Sequence, residues 1–457
     1  MFPAALSLAL VMQVATMTAT PSGRLEGRPP AEFASPLQAA VDATPTGGVV
    51  NVPSGRYAGD LYIDRPMSLE GHGRPVLVAS GRGSVIIVRA PGVRVEGFDI
   101  EANFAGSLDR DSSGIHVSTP HVVIRDVKVT HAFFGIYLLV ADDVTIERTS
   151  VHGQAGKPPG EQGSGFHFYN SQQFHVSDSD VTDMRDGIYI QSSSRGVVRH
   201  NDIRHVRYGL HYMYADDNVF EDNHFEDSAA GAALMFSQRL IFRRNQFLRN
   251  RGFASVGLLL KDCSDLLAED NLIIDNARGL FLDGSNHNTF RRNLIAVSDA
   301  ALVIYASVSG NVFRDNAFVG NLTPLELVGR STDTVFDQNY WSDADEPDLD
   351  GDGFRDRPYR IVNVFDHFRG RTTASDLLSR GPAARALAAA ERTFPVLSVL
   401  NVTDAHARVR MPEGVGAALA AGAAPRERSN AGLLVSIALL LGGALAVSRG
   451  QRRKQAA

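Results

Sequence analysis

Cysteine is nearly absent from the 457 residues: Cys263 is the only one. A single thiol excludes an intramolecular disulfide and any Cys-rich zinc or iron–sulfur site, so stability has to come from packing. A surplus of positive charge is missing too. Fifty-one acidic against 45 basic side chains leave a net charge of -6, without the basic footprint of a nucleic-acid binder, so no nucleic-acid partner is expected. With 44% hydrophobic and 21% charged residues, 42 Gly and 20 Pro, the chain is neither collagenous, low-complexity nor a polytopic membrane protein.

Long uncharged runs are confined to the two ends. Residues 1–20 are apolar through Ala4 to Ala15 with no Lys or Arg before them. This reads as a secretory signal peptide whose basic n-region lies upstream of the present start. Ala431 to Ser448 is uncharged and is followed by Arg449, Arg452, Arg453 and Lys454. That pattern predicts a transmembrane helix over 431–448 with a basic cytoplasmic tail over 449–457. The bulk of the chain is then expected in the periplasm, anchored to the inner membrane by its C-terminal helix.

Between these ends a glycine followed by an alternating apolar tetrapeptide recurs at Gly114, Gly135, Gly165, Gly187, Gly209, Gly231, Gly257 and Gly279, with spacings of 21, 30, 22, 22, 22, 26 and 22 residues. A second series in the same rhythm begins at Asn201, Asn223, Asn245, Asn271, Asn293 and Asn316. Alternation with period two over short runs, punctuated by Gly, Asn, Asp and Ser, indicates β-strands rather than helices. Self-similarity at a fixed period indicates stacked supersecondary units. The predicted fold is all-β: a right-handed parallel β-helix over 31–370, with rungs of about 22 residues paired at about 4.8 Å. The asparagines are expected to stack and hydrogen-bond along one column. Pro36 to Ala43, with Ser35 as N-cap, predicts a short helix over the N-terminal mouth. Residues 371–428 read as a helical tail and linker. Extra residues at His152 to Ser164 and at Arg249 to Ser255 are loops added to a rung, which in solenoids tend to lie on a functional face.

The wording inside the rungs carries a resemblance. Gly209-LHYMYADDNVFEDN, Gly231-AALMFSQRL, Gly257-LLLKDC, Gly279-LFLDGSN, Asn339-YW, Asp348-LDGDGFRDRPYR and Phe394-PVL resemble the NosD family of nitrous oxide reductase maturation proteins, over roughly residues 35 to 400. The resemblance implies a periplasmic β-helix that works with an ABC transporter, its ATPase and permease subunits, and with a copper chaperone to assemble the copper–sulfide centre of nitrous oxide reductase. Two features depart from the family pattern. The C-terminal anchor is not required by it, and Gly165-FHFYN varies on its usual wording.

Counting from each rung glycine, positions one and three are apolar and belong inside the helix, so positions two and four face outward. The outward series contains His116, Tyr137, His167, Tyr189 and His211 at position two and Tyr169, Gln191, Met213 and Met235 at position four. An exposed stripe of imidazole and thioether suits copper, and Met favours Cu(I). Met213 and Met235 fall on adjacent rungs about 4.8 Å apart, with His211 about 6.6 Å from Met213 on the same face. His211, Met213, Met235 and His167 are therefore the candidate, transient copper ligands, although His167 and His211 are two rungs apart. The same stripe equally describes a metal-free surface that docks a partner protein. Cys263 falls toward a turn and reads as a structural thiol. Asp348, Asp350, Asp352 and Asp356 form D-x-D-x-D-G-x-x-D, a candidate calcium loop that differs from an EF-hand in having Tyr359 at position twelve. The alternative is an Asx-turn loop with solvated carboxylates.

No enzyme is expected. A polysaccharide lyase, hydrolase or epimerase on this fold would need carboxylates converging on an exposed patch, whereas Asp142, Asp143, Asp216, Asp217 and Asp265 fall in turns. Gly153-QAGKP ends in Pro158 where a P-loop places Ser or Thr, so any ATP hydrolysis belongs to a partner. A passive surface solenoid would share the repeat but not the ordered motifs.

Overall fold

The computed structural model describes residues 27–28, 35–361 except 82, 103–111, 252–254 and 330, and then 402–415. The expected signal peptide, the transmembrane segment 431–448 and the helical stretch within 371–401 lie outside these residues. Among the described residues no helix is long and apolar enough to cross a membrane.

Each turn of the chain lays one strand into each of three parallel sheets of 15, 13 and 12 strands. One rung illustrates the unit. Asp186–Gln191 lies in the 12-stranded sheet, Val197–Arg199 in the 15-stranded and Asp202–Arg204 in the 13-stranded, and Tyr208–Met213 begins the next rung above Asp186–Gln191. The expected parallel β-solenoid with rungs of about 22 residues is the observed one. Positions one and three fill a single continuous core: Ile136, Leu138, Ile188, Ile190, Leu258 and Leu260 are all fully buried in it. The rung glycines are required by the stacking itself. A Cβ on Gly187 would stand 2.5 Å from the carbonyl oxygen of Gly209 and 2.3 Å from Ile203.

Two devices hold the rungs in register. The asparagine column runs through the buried Asn201, Asn223, Asn245, Asn271, Asn293, Asn316 and Asn339. In each step the amide oxygen accepts from the backbone N–H and the side-chain NH₂ of the asparagine below, as Asn271 Oδ1 does at 2.9 and 3.1 Å from Asn245. These contacts satisfy buried turn groups that would each cost about 1–3 kcal/mol unpaired. At the rim, left-handed turn residues one rung apart alternate in charge. Arg148 pairs with Asp126, Arg239 with Asp217, Arg244 with Asp222 and Arg292 with Asp270, all at positive φ.

Both ends are closed by polar contacts. The helix Pro36–Ala43 is capped by Ser35, whose hydroxyl accepts from Gln38 N–H, and it buries Leu37 and Val41. Gln38 then pairs with the open edge of the first rung, accepting from Tyr62 N–H at 2.7 Å and donating to its carbonyl at 3.1 Å. At the other end, residues 402–415, expected in a helical tail and linker, instead close the solenoid. Thr403–Asp404 extends the 15-stranded sheet beside Val335–Asp337. The buried Asp404 carboxylate accepts from Asn339 N–H, Asn339 NH₂ and Trp341 Nε1 at 3.0, 2.9 and 3.0 Å. An acid terminates the asparagine ladder because the last rung offers only donors there.

Candidate copper site

The 12-stranded sheet stacks its position-two residues into one column, since Tyr137 registers with His116 and His167, and Tyr189 with His167 and His211. Imidazole and phenol rings alternate along it. His116 meets Tyr137 edge to face at 5.0 Å, His167 stacks on Tyr189 at 4.4 Å, and Tyr189 meets His211 edge to face at 4.9 Å. Phe134 packs against both Tyr137 and His167.

This column points away from the main core, as expected, but it is not exposed. His116, Tyr137, His167, Tyr189 and His211 are between 0% and 2% accessible, and Met235 is also buried, at 8%. The expectation of a solvent-facing stripe is corrected on this point; of the outward series only Tyr169, Gln191 and Met213, all at position four, are partly open. Period two tells inside from outside the solenoid, but it carries no signal for what packs on the outer face, where Phe134 and Tyr208 lie against the column.

Burial leaves the imidazoles short of partners. Among the described residues, both ring nitrogens of His116 and Nε2 of His167 and of His211 find no hydrogen-bond partner. Burial, and then the charge of Arg89, holds His116 down at about 4. Burial likewise places His167 and His211 below the ordinary imidazole value. Neutral imidazoles with a bare nitrogen are in the state a metal requires.

His211 is the best prepared of the three. Its Nδ1 lies 3.2 Å from Asp186 Oδ2, a fully buried carboxylate. Arg207 donates to the two Asp186 oxygens at 2.9 and 2.8 Å, and Arg185 donates at 3.2 Å. Burial alone would raise the Asp186 carboxyl, but His211, Arg207 and Arg185 hold it well below the carboxylate range. An ionised Asp186 accepts a hydrogen bond from Nδ1–H of a neutral His211, which leaves the lone pair on Nε2; this is the carboxylate–histidine pairing that orients metal ligands. Two positions along the same face, Met213 registers directly with Met235. One face of this sheet thus carries an imidazole and two thioethers, residue types of the neutral, soft kind that suits copper, Cu(I) above all.

His167 does not join this set, because Tyr189 stands in register between it and His211. Arg185, Asp186 and Arg207 were missed by the sequence reading, which counted from each glycine forward, whereas Asp186 directly precedes Gly187 and Arg207 lies two residues before Gly209. Arg207 also lines a cavity of about 240 Å³, shared with Lys157, Gln162, Asp183 and His205, under the loop added at His152 to Ser164.

The remaining candidates separate cleanly. Cys263 is buried, its thiol lies against Lys261 O, and burial pushes it up to about 12, so it is inert. Carboxylate oxygens of Asp348, Asp350 and Asp352 lie within 4.8 Å of one another. Asp356 stands outside that group and accepts from Leu349 N–H. On the 13-stranded sheet Asp180 and Asp202 are neighbours in register. Each is already engaged, Asp180 by Ser150 and His152 and Asp202 by Arg204.

Comparison with known proteins identifies the family. Residues 143–368 match the family model described as periplasmic copper-binding protein (NosD). The chain is 33% identical over 381 residues to the probable ABC transporter binding protein NosD of Pseudomonas aeruginosa, covering 79% of this chain and 88% of that one. It is 30% identical over 381 residues to the protein of the same description from Stutzerimonas stutzeri, covering 79% and 86%. Among solved structures, the family 28 exopolygalacturonase of Yersinia enterocolitica superposes with a TM-score of 0.51 at 13% identity, over 65% of this chain and 74% of that one; this likeness concerns the fold alone. On sequence identity and coverage, the chain belongs to the NosD family of periplasmic copper-binding proteins.

Proposed function

We propose that the chain is a non-enzymatic periplasmic assembly factor. It works beside the ATPase and permease of an ABC transporter, takes Cu(I) from a copper chaperone and presents it to apo nitrous oxide reductase for its copper–sulfide centre. Residues 431–448 anchor it to the inner membrane in this reading. The carrying observation is the buried His211 with Nε2 bare and Nδ1 held by Asp186, next to the paired thioethers of Met213 and Met235. Relatives described as ABC transporter binding proteins support the transporter partnership. Bound copper would be held by His211, Met213 and Met235 and would be the cargo rather than a resident cofactor. His167 serves as a packing member of the ring column. Copper is handed on readily from such a site because thioether ligands carry no charge and exchange without proton transfer.

The test is Cu(I) titration of the purified chain in competition with a chelator. The combined variant His211→Ala, Met213→Ala, Met235→Ala is expected to lose Cu(I) binding altogether, and undiminished affinity would refute the assignment. Depolymerisation of an oligosaccharide by the pure protein would overturn the non-enzymatic reading instead.

We also propose that the loop of Asp348, Asp350 and Asp352, with Asp356 bracing it, takes a calcium ion weakly, at the level of about 10⁻⁴–10⁻³ M found for extracellular sites. Calorimetric titration with millimolar calcium should give heat that Asp350→Asn diminishes. Absence of heat in the unaltered protein would remove the site.

A further inference from the structure

We propose that the buried Arg185–Asp186–Arg207 cluster makes the adjacent imidazole–thioether site selective for a monovalent soft cation and rejects divalent ions; this rests on the copper site proposed above. All three donors, His211 Nε2 and the thioethers of Met213 and Met235, are neutral. A divalent ion such as Zn²⁺ would look for a carboxylate, and among the described residues the two nearest acids on these strands are already engaged. Asp186 is engaged by both arginines and by His211. Asp283 is engaged by Lys261 Nζ at 2.7 Å, and Lys261 occupies the register position directly after Met235.

Directly behind His211 the charges have a positive surplus, whereas beyond Met235 Lys261 faces both Asp262 and Asp283. Two guanidiniums against one carboxylate leave one unit of positive charge, buried with Asp186 at 0% and the Arg185 and Arg207 side chains at 13% and 15% accessible. Arg207 Nη2 stands 3.4 Å from His211 Nδ1. Lys157 and Asp183 line the far side of Arg207 and offset each other. A fixed unit charge repels a divalent ion twice as strongly as a monovalent one. At a separation of about 6 Å and an effective dielectric constant of about 20, the difference amounts to on the order of a hundredfold in affinity. Cu(I) tolerates the surplus because its bonding to sulfur and imidazole is largely covalent, whereas Zn²⁺ binding without an anionic ligand is weak.

The experiment compares Cu(I) and Zn(II) titrations of the purified full-length chain with those of Arg207→Gln and, separately, Arg185→Gln. Each glutamine keeps a donor for Asp186 and removes the surplus charge. In the unaltered protein Zn(II) should bind on the order of a hundredfold or more weaker than Cu(I). In whichever variant folds, judged by circular dichroism, the Zn(II)-to-Cu(I) affinity ratio should rise at least about tenfold. Equal affinity for the two ions in the unaltered protein overturns the proposal, as does an unchanged ratio in a folded variant. Failure of the unaltered protein to bind Cu(I) strikes at the copper reading itself, a different result from failure to discriminate.

Discussion

Acidification from about pH 6.5 to about pH 5 is expected to lower the unfolding free energy by roughly 1.5 kcal/mol through His116, with His167 and His211 acting in the same direction. The sign follows from proton uptake. In the unfolded chain each histidine titrates near about 6.5, whereas in the fold burial holds His116 down at about 4 and the other two below the ordinary value. The unfolded state therefore binds more protons over this interval. The stability is fully present above the unfolded value and drains away as pH falls toward the folded one. The interval lies above the titration of ordinary carboxylates, so rim ion pairs such as Asp222–Arg244 still stand. Denaturant midpoints at the two pH values measure the loss. A His116→Phe variant should remove roughly 1.5 kcal/mol of it, and an equal midpoint at both pH values would show that the imidazoles are not buried neutral.

Asp186→Ala should cost about 3–5 kcal/mol, the penalty for leaving buried cations without their counter-ion. Arg185 and Arg207 would face each other without a carboxylate, and His211 would lose the acceptor for its Nδ1 proton. Copper affinity should fall with it, because a ring free to change tautomer no longer presents Nε2, an effect of 10- to 100-fold at comparable second ligands. Asp186→Asn separates the two losses: it keeps an acceptor in place but removes the charge that holds the arginines. Thermal unfolding and Cu(I) competition read these effects independently. A melting temperature within a degree or so of the parent for Asp186→Ala would mean that the buried cluster is not the anchor its geometry implies.

The architecture was legible because a solenoid repeats its physics. A core that each rung must extend imposes period two within strands and about 22 residues between them. That made the inside positions Ile188 and Ile190, the asparagine ladder and the capping helix readable in turn. The charge ladders were written in the same way, as an acid followed 22 residues later by an arginine at Asp217 and Arg239 or Asp222 and Arg244. The arginine partners are hidden because each residue alone looks like an ordinary solvated turn. Asp404 could not have been placed by rhythm, since it reaches Asn339 across 65 residues of sequence.

For the site, the sequence by itself determined which residues share a face. His211 and Met213 lie two apart on one strand, and Met235 lies one rung on, and parallel register admits no other arrangement. Only the tertiary structure decided that this face is buried, that Tyr189 separates His167 from His211, and that Asp186 with two arginines stands behind the imidazole. The physical reason is that strand periodicity fixes direction, in or out, whereas burial and electrostatic partnership depend on what is packed against the outer face. Those neighbours come from turns and flanking positions that the repeat does not constrain.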